Sequence, residues 1–94
     1  MRIESGKYLA GVSHPRWNLY DAGGGAFKDE IDFPQPFQSP PKLLIAISGF
    51  DIRIDCPNVG VQAVRVTENG FDVHISSSQG RVWELTVDWM AVGN

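Results

Sequence analysis

Cysteine is almost absent. Cys56 is the single one in 94 residues, which excludes an internal disulfide and a cysteine zinc site. The two histidines, His14 and His74, lie far apart in sequence, so no histidine metal cluster is expected and no metal or other cofactor is called for. No long hydrophobic run exists. The longest, Leu43-Leu44-Ile45-Ala46-Ile47, falls far short of the roughly 20 apolar residues that span a bilayer, and membrane insertion is not expected. Met1-Arg2-Ile3-Glu4-Ser5-Gly6 carries no apolar stretch of signal-peptide length, so a Sec-type leader is not expected and the compartment stays open. Basic charge is also scarce. Eight Lys and Arg stand against eleven Asp and Glu, for a net charge of −3. The eight occur singly: Arg2, Lys7, Arg16, Lys28, Lys42, Arg53, Arg65 and Arg81. Nucleic acid is a poor candidate partner, because binding it takes clustered cations.

Helical patterning is lacking too. Ten Gly and six Pro are spread along the chain, and no window sustains apolar residues at i, i+3, i+4 and i+7. Short β-rich segments stand there instead. From Val82 to Met90 the odd positions Trp83, Leu85, Val87 and Trp89 are apolar and Glu84, Thr86 and Asp88 polar. That period of two marks a strand with one buried face. Phe71, Val73 and Ile75 alternate in the same way, and Ser77-Ser78-Gln79-Gly80 lies between. The pattern predicts a β-hairpin over 71–90 with a four-residue polar loop. Glu68-Asn69-Gly70 forms a second tight turn leading back to a strand around Val59–Thr67.

Glu4–Ala10 and Ala26–Phe33 read as short strands, the latter with Ile31 and Phe33 inward, and Gly11–Phe27 as a long loop holding Trp17 and Tyr20. Pro34 to Pro41 holds four prolines and makes a stiff crossover between sheets. About six short strands with irregular crossovers mean an all-β fold, a six-stranded antiparallel β-sandwich forming one domain over 1–94. Two strands look apolar on both faces. Lys42–Phe50 sets Leu43, Ile45 and Ile47 against Leu44, Ala46 and Phe50; Val59–Thr67 sets Val59, Val61 and Ala63 against Val64 and Val66. A second apolar face implies a subunit interface or, more plainly, the ragged outer face of a central strand.

Catalytic constellations fail. Cys56, in Asp55-Cys56-Pro57-Asn58, has no base or helix N-terminus suggested beside it. Asp29 and the pair Glu30 and Asp32 fall on opposite faces of a strand, the pattern of a solvated surface. Gly23-Gly24-Gly25 lacks the Lys-Ser/Thr of a phosphate loop. The chain is expected to be non-catalytic. What remains suits a polyol. Sugar recognition uses a carboxylate or amide to accept from adjacent hydroxyls, backbone N–H groups exposed by glycine, and an aromatic face for the C–H side of the ring. Asp21-Ala22-Gly23 supplies the first two. The Ser77–Gly80 loop with Trp83 supplies hydroxyls, an amide and an aromatic, although Trp83 by its odd position also reads as core.

An ordered set of residues along the chain carries a resemblance. It comprises Ser5-Gly6, Trp17, Ile31-x-Phe33, Phe37, Pro40-Pro41 before a hydrophobic strand, Ile47-x-x-x-Asp51, Val66-x-x-x-Gly70-Phe71-x-Val73 and Val87-x-Trp89-x-Ala91. In this order the chain resembles the H-type lectins, the family of the snail agglutinins that bind N-acetylgalactosamine. The resemblance implies a six-stranded sandwich assembled as a homotrimer, alone or stacked as a pair of trimers, with glycan sites of the galactose/N-acetylgalactosamine type at the protomer seams. It also implies a cell-adhesion role outside the cell or on a particle surface. The family's early carboxylate falls on Asp21, its backbone contact near Gly23, and its late aromatic on Trp83. Ser78-Gln79 replaces the family's Trp-His pair, and Asn58-Val59-Gly60 stands where its arginine would be. The carbohydrate-binding candidates are therefore Asp21, Gly23, Asn58, Ser78, Gln79 and Trp83. The alternative expectation is a structural trimerisation or attachment module of a larger assembly, such as a phage tail or secreted particle, with a degenerate sugar site.

Overall fold

The computed structural model describes residues 1–21, 23–52 and 58–94; Cys56 and Ala22 lie outside the described residues. Six strands are present: β1 Arg2–Gly11, β2 Gly25–Asp32, β3 Lys42–Ile52, β4 Gly60–Val64, β5 Gly70–Ser77 and β6 Val82–Gly93. They form two antiparallel three-stranded sheets, ordered β1-β6-β3 and β2-β5-β4. The all-β sandwich is as the alternation predicts. Phe71, Val73 and Ile75 of one sheet and Leu85, Val87, Trp89 and Ala91 of the other are buried between the layers. Phe33 and Phe37, before and within the proline-rich crossover, close this core with Trp89 and Phe71 at ring separations of 5.1 to 5.9 Å. Arg2 fastens the crossover to β1. Its guanidinium lies 3.7 Å from the centre of the Phe37 ring and donates to the Pro36 carbonyl at 2.8 Å and to that of Gln35.

Four sequence expectations are corrected. The segment 71–90 is not a hairpin, because β5 pairs with β2 and β4 while β6 pairs with β1 and β3. The connection carries two successive residues in the left-handed region, Gly80 at φ 74° and Arg81 at φ 67°. It crosses the gap between the sheets instead of returning beside β5. Second, Trp83 leaves the buried set. Asp51 of β3 pairs with Glu84 and Ile52 with Val82, so Trp83 is the extra residue of a β-bulge. Val82 takes the inward place and Trp83 is 44 % exposed.

Third, the strand expected over Val59–Thr67 ends at Val64, because Arg65 adopts φ 51°. The left-handed residue resets the alternation, and Val66 packs against the core with Val59, Val61 and Ala63 instead of forming a second face. Fourth, β3 carries an extra residue between Ile47 and Gly49, which puts Phe50 opposite the buried Leu85 rather than on the face of Leu44 and Ala46. Phe50 is nevertheless 66 % exposed. Leu44 keeps its outward place at 51 % exposure.

Strands β1, β3 and β5 run toward one end of a body 43 Å long and 20 Å across, and β2, β4 and β6 run back. Arg2 pairs with Gly93 at the far end, where the crossover and the 65–69 turn also lie. Loops 12–24 and 78–81 share the opposite end. The two chain ends and those loops are thus separated by the long axis.

Candidate functional site

At the loop end Leu19 and Gly23 pair antiparallel with Val82 and Gln79. The Val82 N–H donates to the Leu19 carbonyl at 2.7 Å, and the Gly23 N–H donates to that of Gln79 at 3.1 Å. Between and just beyond these bonds the two backbones nearly touch. A Cβ on Gly80 would stand 2.1 Å from the Asp21 carbonyl oxygen, and one on Gly24 would stand 2.2 Å from that of Ser78. Both glycines have φ of 74°. Only a residue with no side chain meets both demands. The buried Ser77 hydroxyl braces the turn, accepting from the Gly80 N–H at 3.0 Å and donating to the Gly80 carbonyl at 3.2 Å. The Asn58 side-chain oxygen accepts from the Ser78 N–H at 2.9 Å. Trp17 donates its indole N–H to the Val82 carbonyl at 3.0 Å, and the Val12 N–H donates to that of Trp83 at 3.0 Å.

The fold therefore gathers all six candidates at one end. Asp21, Gly23, Ser78 and Gln79 are exposed there, on backbones zipped to one another. Asn58 is exposed as well, and its oxygen serves as a brace for the 78–81 turn. Arg81 donates to the Gln79 carbonyl at 3.2 Å. Trp83, freed from the core by the bulge, meets Tyr20 with ring centres 4.9 Å apart and planes at 87°. Tyr20 was not among the candidates. Its signal is local: Leu19 is buried, and Tyr20 and Asp21 beside it are exposed.

A second polar cluster holds the base of the same loop. Asp29 on β2 accepts from the Tyr8 hydroxyl of β1 at 2.6 Å and from Arg16 at 3.1 Å, and His14 Nε2 lies 3.4 Å away. The Arg16 backbone N–H donates to His14 Nδ1 at 3.0 Å, which holds the ring with Nε2 toward Asp29. Desolvation pushes the Asp29 carboxyl up. The Tyr8 hydroxyl, the Glu30 backbone N–H and the charges of His14 and Arg16 outweigh it and hold the group below the usual carboxylate range. Burial, then the bond to Asp29 and its charge, push the Tyr8 hydroxyl up. Asp29 and Glu30 are thus engaged by structural partners. Asp29 ties the two sheets together, and Glu30 lies 3.8 Å from Arg65.

Residues 28–92 match the H-type lectin domain family. The chain belongs to that family. The match runs over β3, β4 and β5 whole and most of β2 and β6, so it includes Asn58, Ser78, Gln79 and Trp83 of the candidate end. Among solved structures, this H-type lectin domain is similar to discoidin II of Dictyostelium discoideum. The TM-score is 0.83 at 23 % identity, over 98 % of this chain and 36 % of that one. An R1-type pyocin tail fibre superposes with TM-score 0.65 at 18 % identity, over 98 % of this chain and 70 % of that one. A Pseudomonas phage phi297 tailspike superposes with 0.66 at 16 % identity, over 98 % of this chain and 15 % of that one. These likenesses concern the fold. The domain spans about a third of the length of discoidin II. No curated protein matches the sequence significantly.

Proposed function

We propose that this domain is a non-catalytic lectin that binds glycans of the galactose/N-acetylgalactosamine type or related sugars at its loop end. The observation that carries the reading is the pairing of Leu19 and Gly23 with Val82 and Gln79, which brings Asp21, Gly23, Ser78 and Gln79 together beside an outward-facing Trp83. A carboxylate at Asp21 accepts two hydroxyl protons from one sugar edge in charge-assisted hydrogen bonds, each contributing about 1.5–3 kcal/mol. Trp83 covers the apolar C–H patch for roughly 1 kcal/mol more. Among the described residues no three His, Cys, Asp or Glu are grouped to hold a metal ion, and binding is expected to survive chelation.

The domain is further proposed to work as a homotrimer on glycosylated surfaces outside the cell or on a particle. Leu44, Met90 and Ile3 are exposed on the outer face of β1-β6-β3, where Leu44, Ala46, Met90 and their neighbours line a groove of about 560 Å³. Covering such a face supports a small core, and three sites presented together raise apparent affinity through effective concentration.

The test is a glycan array probed with the wild type and with Asp21→Asn. The wild type is expected to retain galactose-type glycans, and the variant to bind about tenfold more weakly with an unchanged melting temperature. An array with no retained glycan, or an Asp21→Asn variant that binds equally well, overturns the reading. The similarity to a tail fibre and a tailspike favours a second reading in that event, a trimerising attachment module.

A further inference from the structure

Tyr20 and Trp83 stand edge to face, 38 % and 44 % exposed, with planes at 87° and centres 4.9 Å apart. Two aromatic rings meeting at a right angle leave a corner between ring faces of carbon, with the Tyr20 hydroxyl and the Trp83 indole N–H on the ring edges. The corner adjoins the polar site through the chain itself. Tyr20 immediately precedes Asp21, and Trp83 follows the Gly80 whose backbone abuts the Asp21 carbonyl. The right-angled corner is distinct from the flat face that a pyranose C–H patch takes on Trp83. It suits one carbon substituent of a sugar whose hydroxyls lie on Asp21.

We propose that the Tyr20–Trp83 corner selects sugars bearing a methyl group directly on the ring, that is, 6-deoxyhexoses. The inference rests on the glycan-binding reading and goes further by naming the substituent. A hydroxymethyl group placed between the rings loses hydrogen bonds to water and gains none from carbon walls. An acetamido group brings an amide N–H and carbonyl with the same difficulty. A ring methyl brings no polar atom and buries its surface against both rings. Tyr20 is thereby a specificity-determining residue.

The experiment is a ligand-observed NMR titration of the wild type and of Tyr20→Ser with three monovalent glycosides. These are methyl β-D-galactoside, its 6-deoxy analogue, and the 2-acetamido-2-deoxy analogue. The wild type is expected to bind the 6-deoxy sugar about five- to tenfold more tightly than the galactoside, the scale of one buried methyl and one spared hydroxyl. In Tyr20→Ser both sugars are expected to bind more weakly and the ratio between them to fall to near one. Equal or tighter wild-type binding of the galactoside or the acetamido sugar overturns the inference and leaves the lectin reading standing. A preference undiminished in Tyr20→Ser overturns the corner as its cause. Binding of none of the three overturns both readings together.

Discussion

Tyr8 of β1 donates its hydroxyl proton to Asp29 of β2 at 2.6 Å, a bond between the two sheets at the edge where their outer strands face each other. Both groups tie stability to pH. The Asp29 carboxyl is held below its usual range, so its contribution is complete above pH ~4 and lost as pH falls through the lower folded value. The Tyr8 hydroxyl is raised, so its contribution is complete below pH ~10 and lost as pH rises beyond that. Tyr8→Phe is expected to destabilise the domain by about 2 kcal/mol at neutral pH and to flatten both limbs. Urea unfolding at several pH values checks this, and an unchanged pH profile would exclude the bond as its source.

Arg65 holds φ 51° and reaches back to Asp72, 2.7 Å from Nε to Oδ2, with Asp72 itself buried. Arg65→Ala loses the pair and keeps the backbone strain. Arg65→Gly loses the pair and relieves the strain. Both should be less stable than wild type, with the glycine variant about 1 kcal/mol better than the alanine variant. Equal melting temperatures for the two would contradict the left-handed conformation.

Trp83→Ala is expected to cost about 1 kcal/mol of stability, because the bulge has already placed the ring outside. Leu85→Ala, two positions along and fully buried, should cost about 2–5 kcal/mol. Chemical denaturation of both variants measures the difference. A tryptophan variant as damaging as the leucine variant would return Trp83 to the core.

Gly80→Ala should separate the two loops. Its Cβ would collide with the Asp21 carbonyl at a φ that alanine adopts poorly. The variant is expected to lose at least 1 kcal/mol and to lose glycan binding together with that stability. Retained binding at wild-type affinity would show that the pairing does not build the site.

Leu44→Asp places a charge on the outer face of β1-β6-β3. If that face is the subunit interface, light scattering at micromolar concentration should give three protomer masses for the wild type and one for the variant, with monomer secondary structure intact by circular dichroism. A wild type that runs as one protomer removes the trimer.

The period of two along Phe71–Ile75 and Leu85–Ala91, the prolines of 34–41 and the absence of helical spacing were enough to determine the sandwich and its core. An alternating strand has the same buried face whatever its neighbours. The ordered residues also sufficed for the family, and Asp21 and Ser78-Gln79 were legible as polar loop positions. What only the tertiary structure decided were the points where alternation slips and the partners each strand takes. One extra residue at Trp83, one between Ile47 and Gly49, and a left-handed Arg65 each shift side chains between faces. Nothing in the residue types of those segments marks where the slip falls. Likewise Ser77–Gly80 reads locally as a hairpin loop, yet it crosses between sheets. Strand pairing is settled by which distant edges the backbone can satisfy, and here β2 and β4 take β5 while β1 and β3 take β6. The meeting of Tyr20 with Trp83 follows from that pairing, since 63 positions of sequence separate them and the bonds of Leu19 to Val82 and of Gly23 to Gln79 bring them together.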